Sequence, residues 1–502
     1  MDLPSWTRIE GDISTTLKSR ANWGALISVS SGIVRLFTRM LTVVVLGRLL
    51  TPEDYGLVGM ITPVITFITV FSDGGVSQYT LQSRNITQRA MSLTFWIGAA
   101  FCVLAFLAVL LFAPVLSLLY GEPDIRLLMS VAGLSILISI FYAQHVALLK
   151  RCLKQGVLAF SEIVGAVAGC ALGIWAALEG YGCWSLVVVT LARGIGQVIV
   201  VWALTQWVPS RPFWDGQQGR EILKYGGLFT FSSALGSLCR DSDKILLGIF
   251  YSAEELGYYA IAHMILMFPL LQVLTPIAGA VVPYFSMLRD SREAFEKEIN
   301  EVTLVLGSVT VPFMMFAAAK SGALIALIFG EKWLPSAPIF SFLAIAGANL
   351  IFLYPMGWAL HADGQAGKMA RLSIYSTVNT AVGYVAGLPW GGVGIAFCYA
   401  LNSAIYLIFF TRLHATYMGL SHSTYLLAVA KVYLSAILTV ACLYGLDIHL
   451  LRDLKGIPML VFYFVGIVVL MPPYLYVTRV DLKVFEKFFG FLQRRRQRRA
   501  VS

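Results

Sequence analysis

Apolar runs of about 20 residues recur along the whole of this 502-residue chain, near 22–50, 56–77, 91–118, 127–148, 158–179, 184–206, 223–250, 256–286, 299–319, 336–360, 369–388, 392–411, 423–445 and 456–478. As a helix, each is long enough to cross the ~30 Å hydrocarbon core of a bilayer. The pattern predicts an all-α integral membrane protein of about fourteen transmembrane helices. Composition excludes a soluble domain: 58% of residues are hydrophobic, 13% are charged and the mean hydropathy is +0.77, where soluble proteins carry ~25% charge.

The polar gaps set the orientation. Every second gap is basic: the stretches Arg8–Arg20, Arg84–Arg89, Lys150–Lys154, Arg211–Lys224, Arg289–Lys297, Lys368–Arg371 and Arg412, with the C-terminal tail, hold 25 Lys and Arg. The opposite gaps hold 5, Arg126, Lys320, Lys332, Arg452 and Lys455. By the positive-inside rule both termini face the cytoplasm. The net charge of +10 therefore reflects topology, and no aromatic-interleaved basic groove points to nucleic acid. Residues 1–21 are polar and mixed in charge, unlike a cleavable signal peptide. The seven cysteines lie mostly in or beside the runs without metal-ligand spacing, so neither a disulfide framework nor a metal site is expected. After the last run, Phe485, Phe488, Phe489 and Leu492 share one helical face ahead of five arginines. This predicts a basic interfacial helix over 479–502 on the anionic inner leaflet, in contact with its phospholipids.

An internal repeat organises the chain. At an offset of 201, Ser31 pairs with Ser232, Arg39 with Arg240, Leu46 with Leu247, Gly47 with Gly248, Glu53 with Glu254 and Gly56 with Gly257. Six runs separate the copies, so both halves enter the membrane alike and are related by a pseudo-twofold along the membrane normal. The organisation is a cytoplasmic segment 1–21, an N-lobe 22–206, a cytoplasmic linker 207–222, a C-lobe 223–411, two additional spans within 412–478, and the tail 479–502.

Chemistry is expected from ionisable groups inside the spans, because each is costly in lipid without a wet cavity or a partner. Arg35 and Arg39 lie one helical turn apart on one face of the first run, with Arg48 near its outer end. Arginine stays charged and its planar fork grips phosphate oxygens in two places, so two stacked arginines form a candidate pyrophosphate clamp. The alternative is pairing with a carboxylate such as Asp73, or snorkelling. In the seventh run, i,i+3 spacing puts Arg240 near Asp243 and Asp241 near Lys244, either as a structural knot or as a network that exchanges partners with an anion, H⁺ or Na⁺. Asp73, Glu162, Arg193 and, more weakly, Lys431 are lone charges within runs and further candidates for coupling or gating. Pro269, Pro276 and Pro283 recur every seven residues in the eighth run, where lost helical hydrogen bonds permit a hinge or a static kink. Trp96, Trp175, Tyr258, Tyr259, Tyr354 and Trp358 are candidate sugar-facing aromatics.

The strings GRLLTPEDYGLVGM at 47–60, FSDGGVSQ at 71–78, YGEP at 120–123 and FGEKWLPSAPI at 329–339 resemble the polysaccharide-export, Wzx-type branch of the multidrug/oligosaccharidyl-lipid/polysaccharide exporter superfamily. That resemblance implies a bacterial inner-membrane flippase without a cofactor. Its substrate is an undecaprenyl-pyrophosphate-linked oligosaccharide unit, carried from the cytoplasmic to the periplasmic leaflet. It also implies alternating access to a cationic cavity between two lobes, to which Arg35, Arg39 and Arg240 are the matching contributors, and polysaccharide polymerase and chain-length or export proteins as partners. Arg35 aligns with Gly236 in the repeat, and Asp241 and Asp243 reduce the positive potential of the second copy. The coupling ion, H⁺ or Na⁺, stays open.

Two other classes remain to be weighed. A membrane glycosyltransferase or glycan polymerase would use outside carboxylates, and Glu53 and Asp54 are the candidates; their loop of about five residues leaves no room for a catalytic domain, and acids at a span end commonly serve as caps. A cation-coupled drug exporter would place acids, rather than the arginines of the first run, in its cavity.

Overall fold

The computed structural model describes residues 13–450 except 73, 83–86, 153, 365 and most of 212–240, together with a few positions between 458 and 470. Among the described residues every regular element is a helix, and nine helical segments are long and apolar enough to cross a membrane. The run expected at 223–250 is described mainly at its end, and the tail helix lies outside the described residues. The described chain divides into two compact units, one ending at Gly257 and the other starting at Tyr258.

The first unit contains α1 (Ile13–Leu49), α2 (Pro52–Ser72), α3 (Val76–Gln82), α4 (Gln88–Tyr120), α5 (Asp124–Ala132), α6 (Leu134–Arg151), α7 (Gln155–Leu178), α8 (Trp184–Thr205) and α9 (Ser242–Phe250). The sequence presents α5 and α6 as one run; the chain turns between them at Gly133. Helices α1, α7, α8, α6, α4 and α2 pack each on the next in that order, and α9 rests on α2 and α4. That contact carries the unit past the expected 207–222 linker. Lipid offers no hydrophobic drive between helices, so close van der Waals packing must supply it. The α7–α8 seam meets this with one glycine per turn: a Cβ on Gly165 or Gly169 would lie 2.6 or 2.7 Å from the carbonyl oxygens of Arg193 and Val189.

The TPED string reads out as a helix start. Pro52 occupies the first turn of α2, where its missing N–H costs nothing. The Thr51 hydroxyl accepts from the Asp54 N–H (3.2 Å), and the Asp54 carboxylate accepts from the Thr51 N–H (2.8 Å), a reciprocal capping box. Two hundred and one residues later, at the start of α10 (Ala253–Leu288), the Ser252 hydroxyl accepts from the Glu255 N–H (3.3 Å). Thr51 and Asp54 thus have positional counterparts in Ser252 and Glu255, as the repeat requires. The correspondence extends to packing, all of it within the first unit. A methyl group on Gly56 would overlap the backbone of Ala253, and one on Gly257 would overlap the backbone of Pro52. Since Pro52 maps onto Ala253 and Gly56 onto Gly257, these two contacts are mirror statements of a single one. In FSDGGVSQ, Gly74 and Gly75 both take positive φ (53° and 69°) and turn the chain from α2 into α3.

The second unit comprises the rest of α10, then α11 (Arg292–Ala319), α12 (Ser321–Phe329), α13 (Ser336–Leu350), α14 (Leu353–Ala362), α15 (Ala366–Gly387), α16 (Gly391–Met418) and α17 (His422–Leu450). Helix α10 stays helical through positions 269, 276 and 283. Helix α11 packs on α13 and α17, and α16 on α13 and α15. Although α17 comes from outside the repeat, it is tied in by buried polar bonds. The Tyr425 hydroxyl donates to the Phe352 carbonyl and accepts from Thr303. Tyr433 donates to Asn349 (2.5 Å), whose amide donates to Ser403 on α16 (2.8 Å).

A side chain at Gly56 meets backbone, which cannot swing aside. Gly56→Ala and Gly257→Ala should each cost about 1–3 kcal/mol through overpacking and lower the thermal unfolding midpoint in detergent. Gly98→Ala, where a Cβ meets nothing within 4 Å, should leave that midpoint unchanged. Equal midpoints for all three would refute the close contact.

Candidate functional site

The intramembrane charges of the first unit converge on α1, α7 and α8. Arg35 on α1 makes an ion pair with Glu162 on α7, and the two side chains are 33% and 27% exposed, so the pair is not sealed in packing. Arg39 lies one turn further along α1. Arg193 on α8 is near enough for its charge to bear on both. The α7 glycines explain this proximity: Gly165 meets the Arg193 carbonyl, and a Cβ on Gly169 would lie 3.2 Å from Arg193 Cβ, so Arg193 sits against the helix that carries Glu162. Sequence reasoning separates Arg35, for an anion, from Glu162 and Arg193, for coupling. The structure joins them, because a guanidinium at membrane depth takes the carboxylate of the adjoining helix. The spans of α1, α7 and α8 thus contain Arg35, Arg39 and Arg193 against one acid, Glu162. Positive charge is in excess there whatever Arg35 holds.

A polar side of this cluster comes from side chains that the pattern of charges within the runs does not mark. The Tyr142 hydroxyl on α6 lies near Ser161, which donates to the Leu158 carbonyl (2.7 Å), and the charges of Arg35 and Arg193 both reach Tyr142. Two residues on, buried Gln144 accepts from Thr80 (3.0 Å) and Thr94 (3.4 Å). A Gln in the apolar run 127–148 was the available signal.

The seventh-run charges divide. Lys244 bonds Asp241 at 2.5 Å, in the i,i+3 register expected. Asp243 is fully buried in the first turn of α9 and accepts the Lys244 N–H (2.9 Å), where a carboxylate complements the helix dipole. Arg240 and Asp73 lie outside the described residues. Arg48 is exposed at the end of α1, and Lys431 is half-buried in α17. The aromatics scatter. Trp96 donates to the Ser210 carbonyl (2.8 Å), Trp175 is exposed, Tyr258 stands edge-on to Trp333, and Tyr259 is fully buried against His263. Tyr354 and Trp358 form a pair of their own.

Asp54 belongs to its capping box, which gives that acid a structural task at the span end. Nearby, Cys183 connects α7 to α8; burial, with the Asp54 and Asp124 charges adding, pushes its thiol up to about 11.

These features define a class first: the fold is that of polytopic α-helical transporters. It is similar to the lipid II flippase MurJ in an inward closed conformation, with a TM-score of 0.71 at 14% identity over 92% of this chain and 99% of that one. It is also similar to an inward-facing multidrug resistance MATE family transporter of the MOP superfamily, at 0.62 and 14% over 79% and 98%. Within that class the chain belongs to the polysaccharide biosynthesis protein family, whose profile matches residues 45–338. It is 25% identical over 434 residues to the teichuronic acid biosynthesis protein TuaB of Bacillus subtilis (strain 168), covering 84% of this chain and 87% of the relative. To the lipopolysaccharide biosynthesis protein WzxC of Escherichia coli (strain K12) it is 21% identical over 448 residues, covering 86% and 88%.

If Arg35 and Glu162 depend on one another, removing both should cost less than the two single losses combined. A double-mutant cycle of Arg35→Leu and Glu162→Leu, followed by thermal unfolding, should give a coupling of about 1 kcal/mol, as for a part-exposed pair; additivity would contradict the pairing. A raised thiol pKa means less thiolate at neutral pH. In a variant keeping only Cys183, maleimide labelling at pH 7.5 should run about 100-fold below that of an unhindered cysteine and keep rising above pH 10. A plateau near pH 9 would show an ordinary thiol.

Proposed function

We propose that this chain is a flippase that moves undecaprenyl-pyrophosphate-linked oligosaccharide units from the cytoplasmic to the periplasmic leaflet of a bacterial inner membrane, with both its termini cytoplasmic. The observation that carries the proposal is the excess of guanidinium over carboxylate at membrane depth on α1, α7 and α8 in a chain of the polysaccharide biosynthesis family. A lipid-linked glycan combines two phosphates, a hydrated sugar and a long hydrocarbon tail, and its head group cannot cross ~30 Å of lipid unaided. Arg35, Arg39 and Arg193 supply the compensating charge, and arginine keeps that charge at any working pH.

In the resting state Arg35 holds Glu162. An arriving pyrophosphate offers a bidentate, charge-assisted alternative, displaces Glu162 and leaves it to take up H⁺ or Na⁺. Alternating access then exposes the loaded cations to the other side. Polysaccharide polymerase and chain-length or export proteins would consume the product. A drug exporter of the same fold would need acids where this chain has arginines, and the capping role of Asp54 removes one of the two carboxylates on which a transferase reading leaned.

The test is transport of a purified lipid-pyrophosphate oligosaccharide in proteoliposomes, with H⁺ and Na⁺ gradients imposed one at a time. Arg39→Ala should lower the rate at least ~10-fold at unchanged membrane insertion, equivalent to the loss of one charge-assisted contact, and Arg39→Lys should restore part of it. Undiminished transport by Arg39→Ala would overturn the role of the cations. Transport of a cationic drug instead, or formation of a new glycosidic bond, would overturn the flippase itself.

A further inference from the structure

The first unit holds a half-open cavity of about 310 Å³ between α2, α3, α4 and α6. Gly74 and Gly75 fold α3 back beside α6, and Ser77 and Leu81 of α3 form one wall. Among the described residues, Thr69, Ser72, Ser77, Ser139, Tyr142, Gln144 and Lys150 supply the polar lining, and none of them is a carboxylate. Three of the five lining hydroxyls are already committed as donors: Thr69 to the Ile65 carbonyl (2.7 Å), Ser72 to the Thr69 carbonyl (2.7 Å) and Ser139 to the Ile136 carbonyl (2.6 Å). Each therefore presents only oxygen lone pairs. Gln144 supplies the opposite character. It is 3% exposed, and Thr80 and Thr94 hold its carbonyl oxygen, so the amide NH₂ is left without a partner among the described residues.

A site of hydroxyl acceptors beside an unspent amide donor and the Lys150 ammonium suits a ligand that both accepts and donates. An apolar molecule would leave the Gln144 NH₂ buried and unsatisfied. A hydroxyl-rich ring, both donor and acceptor at every position, matches the lining, and Phe95 and Tyr142 offer flat faces for its C–H edges. The volume sits at the bottom of the ~300–1,000 Å³ range of small-molecule sites, room for one or two sugar rings.

Tyr142 links the cavity to the cations, because it lines the cavity, lies near Ser161 beside Glu162, and feels the charges of Arg35 and Arg193. We infer that this cavity is a saccharide subsite, taking the sugar nearest the pyrophosphate while the arginines hold the phosphates. The inference rests on the flippase proposal and adds the place where the glycan is recognised.

Gly98 lines the cavity, and a Cβ there meets nothing within 4 Å, so Gly98→Leu fills the space without displacing backbone. Binding to the detergent-purified full chain is measured for two probes, a polyprenyl-pyrophosphate disaccharide and polyprenyl pyrophosphate with no sugar. Gly98→Leu, and independently Gln144→Glu, which keeps the shape but removes the NH₂, should weaken the disaccharide probe ~10-fold and leave the sugar-free probe within about twofold. Arg39→Ala should weaken both probes. Thermal midpoints certify folding, with Gly98→Ala replacing the leucine variant if that fails to fold. Loss of both probes together in the cavity variants, or of neither, would overturn the subsite and leave the flippase proposal standing. Failure of the unmodified chain to bind either probe would overturn both.

Discussion

A guanidinium group cannot be left unaccompanied in hydrocarbon, and much of the first unit follows from meeting that requirement at Arg35. The carboxylate it needs comes from Glu162 on the neighbouring helix. For Glu162 to be in reach, α7 must lie close to its partners, and for Arg193 to join the same neighbourhood the α7–α8 seam must be tight. The glycine row on α7 answers that geometric demand, since any side chain at Gly165 would collide with the Arg193 carbonyl. Packing and electrostatics are therefore one problem here: the small residues that let the helices approach also determine which charges meet.

The pair is about one-third exposed, and this matters as much as its existence. A sealed ion pair is costly to break because each charge would be left buried. A pair that is not sealed in packing leaves both groups within reach of another partner. Tyr142 and Ser161 add a neutral flank beside the charged groups in one helical unit.

Much of this was legible in the sequence. Long apolar runs map onto long helices because lipid leaves the backbone no other way to satisfy itself within a single segment. The Asp241–Lys244 pair follows from i,i+3 spacing alone. What stayed hidden were relations across helices: that Glu162 faces Arg35, that Arg193 lies behind both, and that Gln144 closes a hydroxyl cluster with Thr80 and Thr94. No local period encodes which faces of two distant segments meet. The three prolines of α10 sit inside a helix that continues through them, a placement compatible with a hinge and with a static kink alike. Local signals mislead by chemistry, as with Asp54, an acid in a short outer loop whose two bonds to Thr51 make it a helix cap.

The paired glycines at the starts of α2 and α10 have the form of an isologous contact, in which one patch meets its own copy. Such a surface needs no second design: a half-length polypeptide bearing it would be complementary to itself, and tandem fusion would lock the stoichiometry at two. A change at either glycine is therefore felt by both copies of the motif at once, because each stands against the start of the other.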